Sequence, residues 1–319
     1  MSMDKDVHFL VFGNQDLPES TDERPLVTFA LFAYNQERYI QEAVEGALAQ
    51  TYSPLEIIIS DDSSSDRTYE IMRGLAENYS GPHLLKLSRS ITNQGLLSHI
   101  NKVIGLANGE IVIMAAGDDI SFPLRTAVIV KSMCEMPKLM AVYSECSNCT
   151  TYCHASNFYL HSVSEANLAF SGGGIGAGAA YAYRKDCFIS PEPLPKFLFS
   201  EDRILPLRAG ILGGVGHLNI ALVYHRDTPS SASKFLSARR LLSYDNIGHL
   251  DFLLSDMKPL LQSASLSRRY LLLLMIKFRR FIAQKDTLGK KILNALVYRF
   301  SILLIRATDN PRRVKINID

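Results

Sequence analysis

Four short apolar runs begin 28 residues apart, at Val27, Leu55, His83 and Ile111. The runs Val27–Ala33, Leu55–Ile59, His83–Leu87 and Ile111–Ala115 have strand length and are rich in large aliphatic residues. Between them lie segments of helical period: Glu37–Gln50 carries Ile40, Val44, Ala47 and Leu48 on one stripe, and Asp66–Tyr79 carries Ile71, Met72 and Leu75. A third, Leu96–Ala107, is followed by Asn108-Gly109, a good helix stop. Strands alternating with helices at this spacing predict βαβ units and a doubly wound, mainly parallel sheet flanked by helices. In such sheets ligands bind in the crevice at the strand C-terminal ends. A chain of 319 residues that is 47% hydrophobic can bury this core and still carry a smaller extension.

Beyond Asp119 the pattern loosens. Pro123–Met136 reads as a helix and Leu139–Ser144 as a strand, whereas 145–180 is irregular and ends in the glycine-rich run Ser171–Gly178. That run has neither GxGxxG nor GxxxxGK[ST] spacing, so it is no phosphate loop. It reads as a mobile or tightly packed segment near the site. Glu201–Ala209 is a short helix and Val215–Tyr224 another strand. The expected organisation is an N-terminal segment and polar linker at 1–24, an α/β domain at 25–235, and a helical extension at 236–319. Asp66 is the expected N-cap of its helix.

Charge is uneven although the net value is only +2. From Arg268 to Arg306 ten Lys/Arg face the single acid Asp286, a local +9, which leaves −7 for the remainder. The basic character therefore belongs to the tail, which argues against a nucleic-acid-binding core. The stretches Arg268–Arg280 and Lys290–Arg299 mix cations with an apolar face and suit an anionic membrane surface. The alternative is a helical hairpin packing on the catalytic domain or on the partner of a homodimer. No signal sequence is visible at the N-terminus, and the tail run Leu271–Ile276 is far below the roughly 18–20 residues of a membrane span. Five cysteines, an odd number, point to a reducing compartment, so the expected location is cytoplasmic, with the tail allowing attachment to the inner face of the plasma membrane. Cys146, Cys149, Cys153 and His154 superficially offer four zinc ligands, but the stretch is crowded for a tetrahedral site and reads as free thiols.

Two aspartate pairs end two of the strand-like runs: Asp61-Asp62 and Asp118-Asp119. Four carboxylates facing one crevice need cations or hydrogen-bond donors, and a divalent metal carrying a nucleotide diphosphate supplies both. Asp62 can accept from the imide N–H of a uracil or thymine base. Ser63-Ser64-Ser65 offers hydroxyls and backbone amides to polar or anionic groups ahead of a helix. The competing reading is that Asp61, Asp66 and the serines only cap the 66–79 helix, and that Gly117-Asp118-Asp119 is an ordinary turn.

Together, Tyr34-Asn35-Gln36-Glu37, Gln50-Thr51-Tyr52, Glu56–Thr68 and Gly117-Asp118-Asp119 resemble a family 2 glycosyltransferase of the GT-A fold, of the bacterial surface-polysaccharide type. The resemblance covers about residues 25–235 and implies a nucleotide-binding half at 25–120 and an acceptor half at 121–235. It implies nucleotide contacts at Ala33, Tyr34, Asn35, Glu37, Asp62, Asn93, Gly95 and Asp118. It places Asp119 on the metal, Mn²⁺ or Mg²⁺, with Asp118 towards the ribose or the metal's second shell. Ser200-Glu201-Asp202-Arg203 matches the family's acidic motif, which implies Asp202 as the base that deprotonates the acceptor hydroxyl and Glu201 as the residue that positions it. Read without the family, the same acids are a favourable first turn of a helix.

The chain also departs from the family pattern. Ala116 stands where a first aspartate is frequent, and His99-Ile100-Asn101 replaces a frequent Ala-Arg-Asn, leaving His99 as a partial cationic substitute. Tyr224-His225-Arg226-Asp227 falls where Tyr-Arg-x-His is usual, so His225 or Asp227 is a further metal candidate and His225 and Arg226 are diphosphate candidates. Ser230, Ser231 and Ser233 continue the match. The implied function is an inverting, metal-dependent transfer from a UDP- or dTDP-linked sugar to a hydroxyl of a glycan or lipid-linked glycan. Two readings compete with it: a catalytically silent nucleotide-sugar-binding scaffold subunit, and a nucleotidyltransferase. The latter is expected to carry a Gly-rich, cationic loop after its first strand, which Phe32-Ala33-Tyr34-Asn35 is not.

Overall fold

Every residue of Val27–Ala33 and of Leu55–Asp61 is buried, the pattern of strands covered on both faces. The computed structural model of the chain describes residues 7–13, 20–21, 24–148, 158–163, 176–188, 201–228 and 313–316. In chain order these form β1 (Val7–Gly13), β2 (Val27–Ala33), α1 (Ile40–Leu48), β3 (Leu55–Asp61), α2 (Thr68–Glu77), β4 (Leu84–Ser90), α3 (Leu96–Leu106), β5 (Ile111–Ala116) and β6 (Ile120–Ser121). They continue with α4 (Arg125–Glu135), β7 (Ala141–Ser147), β8 (Phe158–Val163), β9 (Tyr181–Arg184), α5 (Glu201–Leu212), β10 (Val215–Tyr224) and β11 (Arg313–Ile316).

The strands make one sheet in the order β1-β4-β3-β2-β5-β9-β7-β10-β8-β11, with β6 paired to β10. The run β4-β3-β2-β5 is parallel throughout, as the 28-residue repeat requires. The chain leaves β2 towards β3 on one side, whereas β5 lies on the other. This opens the ligand-binding crevice at the C-terminal ends of β2 and β5. Antiparallel β9 joins β5 to β7, and β7 runs parallel to β10. Two apolar layers sandwich the sheet. One packs Val44, Met72, Val128 and Met133 from the helices against β2 and β3, and the other packs Leu97, Ile100, Ile204 and Leu207 against Ala30, Ile58 and Val112.

Four strands depart from the sequence-based expectation. β1 forms inside the segment expected as N-terminal lead and linker; it is an antiparallel edge strand whose Phe9, Leu10 and Val11 stay exposed. β8, six residues long, falls in the stretch expected to be irregular, and β9, four residues long, follows directly after that stretch, where no strand was expected. β11 falls in the tail expected to be helical. It pairs with β8 and alternates, Arg313 and Lys315 exposed against Val314 and Ile316 packed inward, a period of two that four residues cannot advertise in a sequence. The remainder of the tail, including both basic stretches, lies outside the described residues. Asn108 does not cap α3, whose C-cap is Ala107.

Asn108 serves Glu56 instead. The fully buried Glu56 carboxylate takes the Lys86 ammonium at 2.7 Å, the Thr28 hydroxyl at 2.8 Å, and the Asn108 backbone and side-chain N–H groups at 3.0 and 2.6 Å. A buried carboxylate with this many donors fixes the register of β2, β3 and β4. Glu56→Ala is expected to lower unfolding stability by about 3–5 kcal/mol, since it strands the mostly buried Lys86. Denaturant melts read this directly.

Candidate functional site

The crevice is built from the loops that follow β2, β3 and β5. Two residues there adopt positive φ without being glycine, Asn35 at 52° and Ser63 at 63°. Asn35 is held by cross-bonds between the β2 and β3 loops, whereas Ser63 Oγ donates to the Ile91 carbonyl at 3.3 Å. Asn35 N–H donates to Ser64 Oγ at 2.9 Å, and its side-chain oxygen accepts from Ser65 N–H at 2.8 Å. Gln36 N–H donates to Thr68 Oγ1 at 2.7 Å, Glu37 N–H to Asp66 Oδ2 at 3.1 Å, and Glu37 Oε2 accepts from Arg67 N–H at 3.1 Å. Asn35 and Glu37 thus fasten the two loops together. The N-cap of α2 is Arg67 and not Asp66, which stands one residue earlier with its Oδ1 accepting from Thr68 N–H at 3.0 Å.

Of the first aspartate pair, Asp61 is fully buried, receives Ser64 N–H at 3.0 Å and pairs with Arg89 Nε at 3.3 Å. Burial raises its pKa, against the pull of Ser64 and Arg89. Asp62 accepts from Gln94 N–H at 3.0 Å and Gly95 N–H at 2.9 Å. It therefore anchors the start of α3, where Gly95 takes a φ of 77° that a side chain would strain. Two amide donors leave carboxylate lone pairs uncommitted. Asn93 Oδ1 also accepts from Gly95 N–H, at 3.0 Å. At the end of β2, Tyr34 stands 47% exposed and Ala33 before it is buried.

The second pair closes the crevice. The short β6–β10 pairing (Ile120 opposite Tyr224) brings residues 225–228 onto the turn. Asp119 is buried, accepts from Arg226 N–H at 3.0 Å, and has His225 Nδ1 at 3.1 Å from both carboxylate oxygens. The Asp119 hydrogen bond raises the His225 pKa. Asp118 Oδ2 accepts from Thr228 Oγ1 at 3.2 Å, and burial together with the Asp119 charge raises its pKa. Asp227 is exposed. The Asp118 and Asp119 carboxylates are ligands of the kind that Mn²⁺ or Mg²⁺ takes, with His225 beside them. Among the described residues no group of three His, Cys, Asp or Glu side chains is placed to hold a metal ion.

The two cationic substitutes fare differently from expectation. Arg226 spends its guanidinium on Glu42 at 2.5 Å and on the Asp118 carbonyl at 3.4 Å, over the Tyr39 ring at 5.3 Å, so it is a brace more than a diphosphate ligand. His99 is buried, bonded to Ser60 Oγ at 2.7 Å and edge-on to Phe32. Burial depresses its pKa to about 4, so at neutral pH it supplies no cation. Because the folded value lies below the ordinary 6.5, the unfolded chain binds the proton more readily between these limits, and stability falls as pH drops from about 6.5 towards 4. His99→Gln is expected to flatten that slope, which is at most about 1.4 kcal/mol per pH unit for one proton. Melting temperatures of both proteins across pH 4–7 measure it.

Glu201 and Asp202 open α5. Burial, then the Asp202 charge, push Glu201 up to about 8, so it holds a proton at neutral pH. Gly178 lies against this acid: a Cβ there would overlap Glu201 Oε1. The buried Arg125, missed by sequence reasoning because a lone arginine opening a helix looks solvent-facing, joins the segment after Asp119 to the backbone beside Gly178. Its guanidinium donates to Ser121 Oγ at 2.8 Å, the Met114 carbonyl at 2.8 Å and the Ala179 carbonyl at 2.6 Å. Burial lowers its pKa only to about 10, so it stays charged. Of the cysteine cluster, Cys146 is a free thiol; Cys149, Cys153 and His154 lie outside the described residues, as do Ser230, Ser231 and Ser233.

Residues 28–189, more than half of the chain, match the model of glycosyl transferase family 2. The chain belongs to that family. Among curated relatives of this family 2 chain, glycosyltransferase EpsE of Bacillus subtilis is 37% identical over 101 residues, 32% of this chain and 36% of EpsE. Chondroitin synthase of Pasteurella multocida is 32% identical over 120 residues, 38% of this chain and 12% of that protein. The chain thus spans about a third of the one and an eighth of the other. Among solved structures, residues 1–349 of S. aureus TarS in complex with UDP-GlcNAc superpose with a TM-score of 0.59 at 17% identity, covering 86% of this chain and 80% of that one. The mannosyltransferase PcManGT of Pyrobaculum calidifontis in complex with GDP-Man and Mn²⁺ gives 0.54 at 17%, covering 88% and 81%. These likenesses establish the GT-A fold expected from the sequence.

Proposed function

We propose that this family 2 chain is an inverting, metal-dependent glycosyltransferase. It moves a sugar from a UDP- or dTDP-linked donor to a hydroxyl of a glycan or lipid-linked glycan in cell-surface polysaccharide synthesis. One observation carries the reading: Arg125 links the Asp118-Asp119 turn, through Ser121, to Ala179, next to the Gly178 that touches Glu201. This linkage supports reading the donor and acceptor acids as parts of one site.

In this reading the base of the nucleotide lies on the Tyr34 ring, with Asp62 accepting its imide proton on a free lone pair. Asn35, Glu37 and Asn93 hold the surrounding loops, and Asp118 faces the ribose. Asp119 would hold Mn²⁺ or Mg²⁺, with Asp118 and His225 beside it. A bound metal supplies charge neutralisation for the departing diphosphate, a need sharpened by the neutral His99 and the engaged Arg226. Asp202 accepts the proton of the acceptor hydroxyl as its oxygen attacks the anomeric carbon opposite the diphosphate. Glu201, protonated, donates a hydrogen bond that orients the same acceptor. PcManGT carries Mn²⁺ together with its nucleotide sugar, and TarS carries UDP-GlcNAc, in the same fold.

The domain plan accompanies this proposal: residues 25–235 as the catalytic unit and the basic 236–319 extension on an anionic membrane surface. Among the described residues no helix is long and apolar enough to cross a membrane. A panel of nucleotide sugars, scored for Mn²⁺-dependent binding and hydrolysis with and without EDTA, tests the function. At least one donor is expected to respond and EDTA to abolish turnover; silence from every donor would overturn the proposal.

A further inference from the structure

On the α5 side of the sheet, one residue from each of five strands stands in a single cross-strand row: Tyr181, Tyr143, His217, His161 and Arg313. Each is the register partner of the next, so their side chains lie side by side. Ring centroids are 5.1 Å apart for Tyr181–Tyr143, 4.7 Å for the stacked Tyr143–His217 pair and 6.3 Å for His217–His161. Tyr159, two residues from His161, continues the row at 6.4 Å and carries the Arg313 guanidinium 3.6 Å above its ring. Lys315 is the register partner of Tyr159 and is exposed.

Two features make this row more than sheet packing. First, it starts at the acceptor acids. A Cβ at Gly176 would press on the Tyr143 ring at 2.7 Å, and two residues on, Gly178 touches Glu201, so the row begins one short turn from the acid pair. Secondly, it leaves the core. Tyr181 is buried under α5, whereas Tyr143, His217, His161 and Tyr159 are half-buried and Arg313 is exposed. The Tyr143 and His217 rings stack face to face, so their polar edges are what they offer a ligand, and His217 Nε2 meets Glu145 at 2.6 Å at the rim. Sugar rings, with C–H faces bounded by hydroxyls, can hydrogen-bond to such edges. The far end is cationic, with Arg313 and Lys315 together, and suits an anionic substituent.

We propose that this row is an extended acceptor subsite that binds an anionic glycan chain: its sugar rings lie along Tyr143, His217, His161 and Tyr159, and a carboxylate or phosphate on the chain meets Arg313 and Lys315. The proposal rests on the glycosyltransferase reading above. It places the hydroxyl end of the acceptor at Glu201-Asp202 and the body of the chain on strands β7, β10, β8 and β11.

Titration calorimetry on the full chain separates the two claims, with UDP and dTDP as nucleotide probes, trigalacturonate as the acidic oligosaccharide and maltotriose as the neutral one. Trigalacturonate is expected to bind at least tenfold more tightly than maltotriose. Tyr159→Ala and Arg313→Ala are each expected to weaken it at least fivefold while nucleotide affinity and melting temperature stay unchanged. Nucleotide binding without trigalacturonate binding would overturn the subsite and leave the donor reading standing. Equal affinity for the two oligosaccharides, or unchanged trigalacturonate affinity in both variants, would also overturn it. Absence of nucleotide binding would instead count against the glycosyltransferase reading.

Discussion

Asparagine at position 119 is expected to reduce metal-dependent turnover by at least a hundredfold, with the protein still folded. The substitution keeps the side-chain shape, so the amide of Arg226 retains an oxygen to bond, but it removes the anion on which a divalent cation depends. The loss is the share of diphosphate charge stabilisation that the metal contributes, several kcal/mol, and each 1.4 kcal/mol is about a factor of ten. Two readouts accompany the rate. The Mn²⁺ concentration for half-maximal activity should rise, and the His225 pKa, held up by hydrogen bonding to Asp119, should fall towards its ordinary value in an NMR titration. Unchanged turnover in Asp119→Asn would remove the metal from this turn.

Replacing Asp202 by asparagine should act on the other half of the reaction. Loss of a general base costs about 10²–10⁴ in rate, so kcat should fall by that amount while donor affinity stays put. The pH profile makes the assignment sharper. Glu201 is raised to about 8 by burial and by the Asp202 charge. Amidation of Asp202 removes the second cause, so residual activity should show its acidic group titrating lower than in the wild type. Equal loss of donor binding and turnover would mean that Asp202 holds the donor and is not the base.

Much of the donor half is legible in the sequence because its signals are local. The buried Leu55–Asp61 run and each aspartate pair at a strand end are contained in a dozen consecutive residues, and the 28-residue spacing repeats them in plain view from Val27 to Ile111. The roles within the loops are less local. Asn35 and Glu37 read as ligand contacts, yet the partners that hold them, Ser65 and Arg67, lie thirty residues on. His99 looks like a spare cation until its burial against Ser60 and Phe32 is known. The acceptor half is less legible still. β8, β9 and β11 are short, and their in-register row of rings draws on segments from Tyr143 to Arg313, a pairing with no signature in any single window.

The clamp on Asp119 also sets an order for making the protein. Its partners His225 and Arg226 follow it by 106 and 107 residues, and β6 can pair only after β10 exists. A ribosome delivers the N-terminal strands first, and contacts this distant close late. The Asp119 turn can therefore close only after residues 225 and 226 have been made. A product halted before residue 215 would lack β10, and with it every contact that His225 and Arg226 make to Asp119.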